Sequence, residues 1–170
     1  MLVIGQSGSG KTTLAAQVAV HLAVPHVELD ALFHGPGWVP NPDFRAAVDA
    51  ATSAPAWVVD GNYSAVRDLL WSRADTLVWL DLPRMLTARR ALLRTARRLV
   101  TRVELWNGNR ERLHTVLRAS HPIRHTWRTQ PRRRLENEQR LADPQWAHLQ
   151  VHRLRTPAEV ARWMSALRAS

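Results

Sequence analysis

The residues whose types and spacing could do chemistry begin almost at once. Gly5-Gln-Ser-Gly-Ser-Gly-Lys-Thr12 places glycines at the first and sixth of eight positions, with Lys and then Thr completing the pattern G-x-x-x-x-G-K-[ST]. Glycines let a backbone wrap close to phosphate oxygens, successive N–H groups point into the concavity, and a following helix presents its positive end to the anion. The pattern therefore predicts that Gly5, Ser7, Gly8, Ser9, Gly10, Lys11, Thr12 and Thr13 hold the phosphates of ATP or another nucleoside triphosphate such as GTP. Lys11 would reach the β and γ phosphates and Thr12 would ligate Mg²⁺.

Three apolar runs end in carboxylates: His26–Leu29 before Asp30, Trp57–Val59 before Asp60, and Thr76–Leu80 before Asp81. In open α/β sheets ligands collect outside the carboxyl ends of the strands, so these acids would share an edge with the glycine loop. Asp60 is assigned as the metal-side acid beside Thr12, because Gly61-Asn62 after it allows a ligand to approach; Asp81 is its rival. Asp30 is placed opposite the loop as the group that orients or deprotonates an acceptor hydroxyl. Trp38 and Tyr63 are candidates for the wall of the acceptor pocket.

Basic charge is unevenly distributed. Residues 1–83 carry four basic side chains against eight acids, and residues 84–170 carry twenty arginines against six acids, which together give a net charge of +10. Of 24 basic residues only Lys11 is lysine, and it stands where a compact ammonium serves better than a planar guanidinium. Sixteen arginines fall between Arg84 and Arg140. Some must form the polar face of an amphipathic helix, and others can close over transferring phosphate; Arg94, Arg98 and Arg110 are the catalytic candidates.

The absence of cysteine rules out disulfides and thiolate metal sites and suits a reducing cytoplasm. Histidines lack metal spacing: His121 and His125 have Pro122 between them and no third ligand. No apolar run approaches the roughly 20 residues of a membrane span. The expectation is a cytoplasmic protein, monomer or homodimer, with a small-molecule acceptor as partner.

These residues must be positioned by alternating strands and helices, which predicts an α/β chain with a mostly parallel sheet. Strands are expected at Leu2–Ile4, His26–Leu29, Trp57–Val59, Thr76–Leu80 and Leu149–Leu154. The first is short enough to suggest that the natural start lies upstream. Helices are expected at about Lys11–Leu22, Phe44–Ala51, Met85–Val103, Glu111–Ala119, Arg132–Leu141 and Pro157–Leu167, with breaks at His121-Pro122 and Gln130-Pro131. The loop from His34 to Asp43 is dense in Gly and Pro and reads as surface.

Taken together, GQSGSGKTTLA, HVELDALFHGPGW, WVVDGNYSAVRD, ADTLVWLDLPR, LWNGNRE and VHRLRTPAEV resemble the adenylate-kinase-like P-loop family known as DNA topology modulation proteins (FlaR-like), over nearly the whole chain. The resemblance implies one kinase-like domain over 1–170: a three-layer α/β/α P-loop kinase fold, with five parallel strands ordered 2-3-1-4-5. It also implies a helical, arginine-rich lid over about 97–140 and an acceptor-side segment over about 30–55. The glycine loop departs from the GxPGxGKGT of adenylate kinases, with Ser7, Ser9 and Thr12 in those contexts, closer to kinases of small hydroxylated metabolites.

The expected function is ATP-dependent phosphoryl transfer to a nucleotide or another hydroxyl or phosphate metabolite. The alternatives are a nucleic-acid-associated P-loop NTPase or DNA topology modulation protein, suggested by the basic second half, and a kinase-type toxin acting on an activated sugar or an RNA end. No base-reading motif supports nucleic acid, and lid chemistry already accounts for the arginines. The base-contacting position, at Arg155–Pro157, is assigned by place alone.

Overall fold

A computed structural model describes residues 1–110 and 122–169. Five strands, β1 (Leu2–Gly5), β2 (His26–Glu28), β3 (Val58–Asp60), β4 (Thr76–Leu80) and β5 (Gln150–Leu154), form one sheet in the order β2-β3-β1-β4-β5. Every pairing is parallel, with Val3 opposite both Asp60 and Val78. The three inner strands β3, β1 and β4 run as near-continuous apolar stretches because both faces are covered, whereas the edge strands β2 and β5 carry polar residues.

Seven helices are described: α1 (Lys11–Leu22), α2 (Leu29–Phe33), α3 (Phe44–Ala51), α4 (Arg67–Arg73), α5 (Arg84–Thr101), α6 (Pro122–Leu141) and α7 (Pro157–Ala169). Alternation sends Leu2, Ile4, Val59, Leu77 and Trp79 to one face, against Phe44, Val48, Leu70 and Trp71 of α3 and α4. Val3, Val58, Val78 and Leu80 point to the other, against Leu14, Val18 and Met164 of α1 and α7. Two cores on opposite faces of one sheet make the three layers.

Several expected boundaries shift. Strand β2 stops at Glu28, and Leu29 opens α2, so Asp30 lies in the first turn of a short helix rather than in a loop. Asp60 is the last residue of β3 and Gln150 the first of β5. Gln130-Pro131 does not break the chain: α6 runs through Pro131. That proline is exposed, and the interior penalty of about 3 kcal/mol is offset by the ion pairs that anchor the helix after it. The helix expected at Glu111–Ala119, together with His121, lies outside the described residues.

Candidate active site

Strand β1 delivers the chain into the glycine loop at the carboxyl edge of the sheet. Gly8 and Gly10 have φ of 82° and 90°, in the left-handed region that favours glycine. A side chain at Gly8 would also collide with the Thr87 carbonyl of α5, whereas Gly10 has open space around it. Helix α1 starts from Gly10 with no side-chain cap and no acid in its first turn. Its first N–H groups are thus left for an anion. Ser9 Oγ and Gln6 Oε1 are buried without a hydrogen-bond partner among the described residues. Uncapped donors, an orphaned hydroxyl and a wall of glycines fit a polyphosphate.

The Thr12 hydroxyl donates to Asp60 Oδ1 at 2.9 Å, joining the first turn of α1 to the end of β3. Asp60 is 2% exposed, and its second oxygen, Oδ2, lies 2.8 Å from His26 Nε2. The hydrogen bond to Asp60 raises the His26 pKa above its usual value, outweighing the opposing effect of burial. Among the described residues no three His, Cys, Asp or Glu side chains gather as a metal cage. A hydroxyl beside one carboxylate suits Mg²⁺, which keeps waters and takes its remaining oxygens from phosphate.

Asp81, the rival acid, is already engaged. Its Oδ2 accepts from Arg153 Nε at 2.8 Å and pairs with Arg134 Nη2 at 2.8 Å. Arg153 also bonds Glu138 at 2.6 Å and stacks 4.2 Å above the Trp79 ring. This cluster ties α6 to the ends of β4 and β5.

Arg94 reaches the loop, donating from Nη2 to Ser7 Oγ at 2.8 Å. It lines, with Arg90, Gly10, Thr13, Gln17 and Val160, an open cleft of about 420 Å³ beside the loop. Arg98 and Arg110 stand elsewhere. Arg98 lies 6.0 Å from the centre of the Trp106 ring, and Arg110 pairs with Glu104 at 3.4 Å. Lys11 is partly exposed at the start of α1, and Thr13 is exposed.

On the acceptor side, the Tyr63 hydroxyl donates to Asp30 Oδ1 at 2.6 Å. Burial, then the Asp30 charge and hydrogen bond, push the phenol pKa far above its usual value. Tyr63 packs on Phe33 at 4.6 Å and Phe44 at 5.1 Å. Gly61, with φ of 142°, abuts Leu29, so only glycine lets β3 turn this close to α2.

One feature escaped the sequence reading. After α5 the chain makes a small hairpin, Glu104 bridged to Arg110, whose tip clasps the acceptor-side loop. Trp106 Nε1 donates to Glu28 at 2.9 Å and Asn107 Nδ2 to the His34 carbonyl at 2.6 Å. Asn109 accepts from the Trp38 N–H at 2.9 Å and donates to the Gly35 carbonyl at 2.9 Å. Trp38 takes φ of 64° there, and His34 stacks toward Trp106. The signal available was His26 and Glu28 alternating in a strand that should be apolar on both faces.

No protein-family model matches the chain, and no curated protein matches it. Solved structures do. A gluconokinase from Sinorhizobium meliloti 1021 aligns over 99% of this chain and 90% of its own, at 24% identity and TM-score 0.52. A candidate kinase from Chloroflexus aurantiacus j-10-fl aligns over 99% and 96%, at 18% identity and TM-score 0.53. With the sheet order and the glycine loop, these likenesses give the chain a P-loop kinase fold.

Proposed function

We propose that the protein is a P-loop kinase that transfers the γ-phosphoryl group of ATP to a small acceptor. The observation that carries this reading is the 2.9 Å hydrogen bond from Thr12 to Asp60, which sets a metal-side acid against an uncapped phosphate loop. The gluconokinase likeness in fold supports it, as does Asp30, standing in the first turn of α2 just past the neighbouring strand with its Oδ1 held by Tyr63.

In this reading the loop amides and Lys11 hold the β and γ phosphates and fix the γ group for in-line attack. Mg²⁺ at Thr12 and Asp60 would neutralise charge on the phosphate oxygens. His26 holds the second Asp60 oxygen and so fixes the carboxylate plane. Arg94, beside Ser7, is placed to face transferring phosphate. Asp30 takes the acceptor hydroxyl proton through Oδ2 while Tyr63 pins Oδ1. Residues 30–55 serve as the acceptor segment and about 97–140 as the lid, the clasp joining the two.

Calorimetry with Mg²⁺ and ATP, followed by labelled-phosphate transfer across nucleotides, sugars and hydroxy acids, tests the reading. Lys11→Ala should reduce transfer by about 10³-fold, the scale of losing one positioned charge donor. Absence of triphosphate binding by folded wild-type protein would remove the assignment. The narrower likeness to DNA topology modulation proteins is supported by exposed Arg89, Arg90 and Arg97 on α5. Duplex binding with a steep salt slope that persists at about 150 mM salt would favour it, and no binding there would sink it.

A further inference from the structure

The open cleft of about 420 Å³ beside the glycine loop lies away from the metal and acceptor sides. Gly8, Ser9, Gly10 and Thr13 line one end of it, while Thr12, Asp60 and Asp30 are not among its walls. A triphosphate held by the loop, with its γ end at Thr12 and Asp60, therefore sends its other end, ribose and base, into this cleft. The volume is in the range of small-ligand clefts. Leu14 and Leu80, both buried, and Val160 of α7 give it an apolar lining against which a planar base can pack.

Gln17 stands one helical turn beyond Thr13 on the same face of α1, about 6 Å along the axis, a rise comparable to the span of a ribose. Helix α1 does not need a polar residue there for solubility, since it leaves Val20 83% exposed. Of the two polar side chains after Thr13 in this helix, His21 meets the Leu167 carbonyl through Nε2 at 3.1 Å. The other, Gln17, is exposed, lines the cleft, and makes no hydrogen bond to a described residue. Among the lining side chains it alone carries an amide donor beside a carbonyl acceptor.

That pair matches one purine edge. Adenine presents an N6–H donor next to the N7 acceptor, whereas guanine presents O6 and N7, two acceptors, at the same place. A carboxamide satisfies both adenine groups at once; with guanine it satisfies one and turns its carbonyl toward the lone pair of the other. We propose that Gln17 selects adenine over guanine in the bound nucleotide, its Oε1 accepting from N6–H and its Nε2 donating to N7. The selection rests on the kinase reading, which brings the triphosphate to the loop.

Calorimetry with Mg²⁺ and three diphosphates, ADP, GDP and 7-deaza-ADP, in which a C–H replaces N7, tests this without turnover. Wild type should bind ADP about 10- to 100-fold more tightly than GDP, and 7-deaza-ADP about 3- to 10-fold more weakly than ADP. Gln17→Ala is expected to fold, because the residue is exposed and Ala is the better helix former. It should bind ADP and 7-deaza-ADP alike and lose most of the discrimination against GDP. Gln17→Glu keeps an acceptor for N6–H but sets a carboxylate against the N7 lone pair, so it should prefer 7-deaza-ADP to ADP, a reversal that lost packing does not produce. Equal affinity of wild type for ADP and GDP, or a 7-deaza penalty as large in Gln17→Ala as in wild type, overturns the proposal and leaves the kinase reading standing. Binding of no nucleotide by folded protein removes the kinase reading and the base contact with it.

Discussion

The ends of β3 and β4 lie on the same sheet edge, one strand apart, and each carries a buried aspartate, yet the two carboxylates have opposite fates. Asp60 faces a hydroxyl and an imidazole, and the chain beyond it turns through Gly61 toward the acceptor side. Asp81 faces two guanidinium groups that are themselves braced by Glu138 and Trp79. A carboxylate with weak neighbours retains capacity for a cation; one clamped by arginines has spent it. The sequence pattern of apolar strand followed by Asp is the same in both, so function is decided by what arrives from distant parts of the chain.

Breaking this contrast at β3 has the largest expected effect. Asp60→Asn keeps the shape and the Thr12 hydrogen bond but removes the charge, and phosphoryl transfer should fall about 10²- to 10³-fold with little change in melting temperature. A variant that melts several degrees lower with near-normal turnover would make Asp60 a structural acid instead. The mirror experiment is Asp81→Asn. It removes one of the two carboxylates that hold partly buried Arg153 and should cost about 2–4 kcal/mol, at or below the range for a broken buried pair because Glu138 remains and Arg134 is half exposed. That corresponds to a melting shift of roughly 5–10 °C for a chain of this size, with Mg²⁺ dependence of transfer unchanged. A changed Mg²⁺ requirement would return Asp81 to the metal side.

A smaller effect sharpens the comparison. Double-mutant cycles measured from melting at about pH 8.5 should give a coupling of roughly 1–3 kcal/mol for Asp81 with Arg153, using Asn and Gln replacements. The coupling of Asp60 with His26 should weaken as pH rises, because the imidazole with its raised pKa gives up its charge on titration, whereas the coupling of Asp81 with Arg153 should not. Couplings that respond alike to pH would erase the distinction between a clamp and a poised acid.

Much of the fold was legible because its signals are local. Gly5 to Thr12 specify their own conformation, and the five apolar runs with helices between them specify a covered parallel sheet. Asp60 was favoured for its Gly61-Asn62 neighbours, and it is the carboxylate that the Thr12 hydroxyl meets. What sequence did not give depends on long-range partners. Nothing near Asp81 announces Arg153, 72 positions away, and the polar His26 and Glu28 signal that a partner is needed without indicating Trp106, 78 positions from Glu28. Pro131 reads as a helix breaker by local rules, but the ion pairs of Arg134, Glu138 and Arg140 hold α6 down after it. Among the arginines, identical in type, only tertiary geometry separates Arg94 at the loop from Arg98 and Arg110 near the clasp.

The finest test concerns Tyr63, the single tyrosine of the chain, whose ionisation can be read by tyrosinate absorbance without interference from another phenol. Burial, with the Asp30 charge and hydrogen bond adding to it, raises the folded phenol pKa. The unfolded chain loses its proton near pH 10, so above that pH the folded state binds the extra proton and stability must fall as pH rises. Folded protein should therefore show no tyrosinate through pH 10, and the signal should appear only together with loss of native circular dichroism. Asp30→Asn removes the charge but not the burial, so its titration should move toward 10 without reaching it. Tyrosinate forming near pH 10 in protein that is still folded would mean that Tyr63 is solvated and does not pin Asp30. The acceptor side would then lack the rigid Asp30 carboxylate that the proposed transfer requires, and the contrast between the ends of β3 and β4 would be one of charge alone.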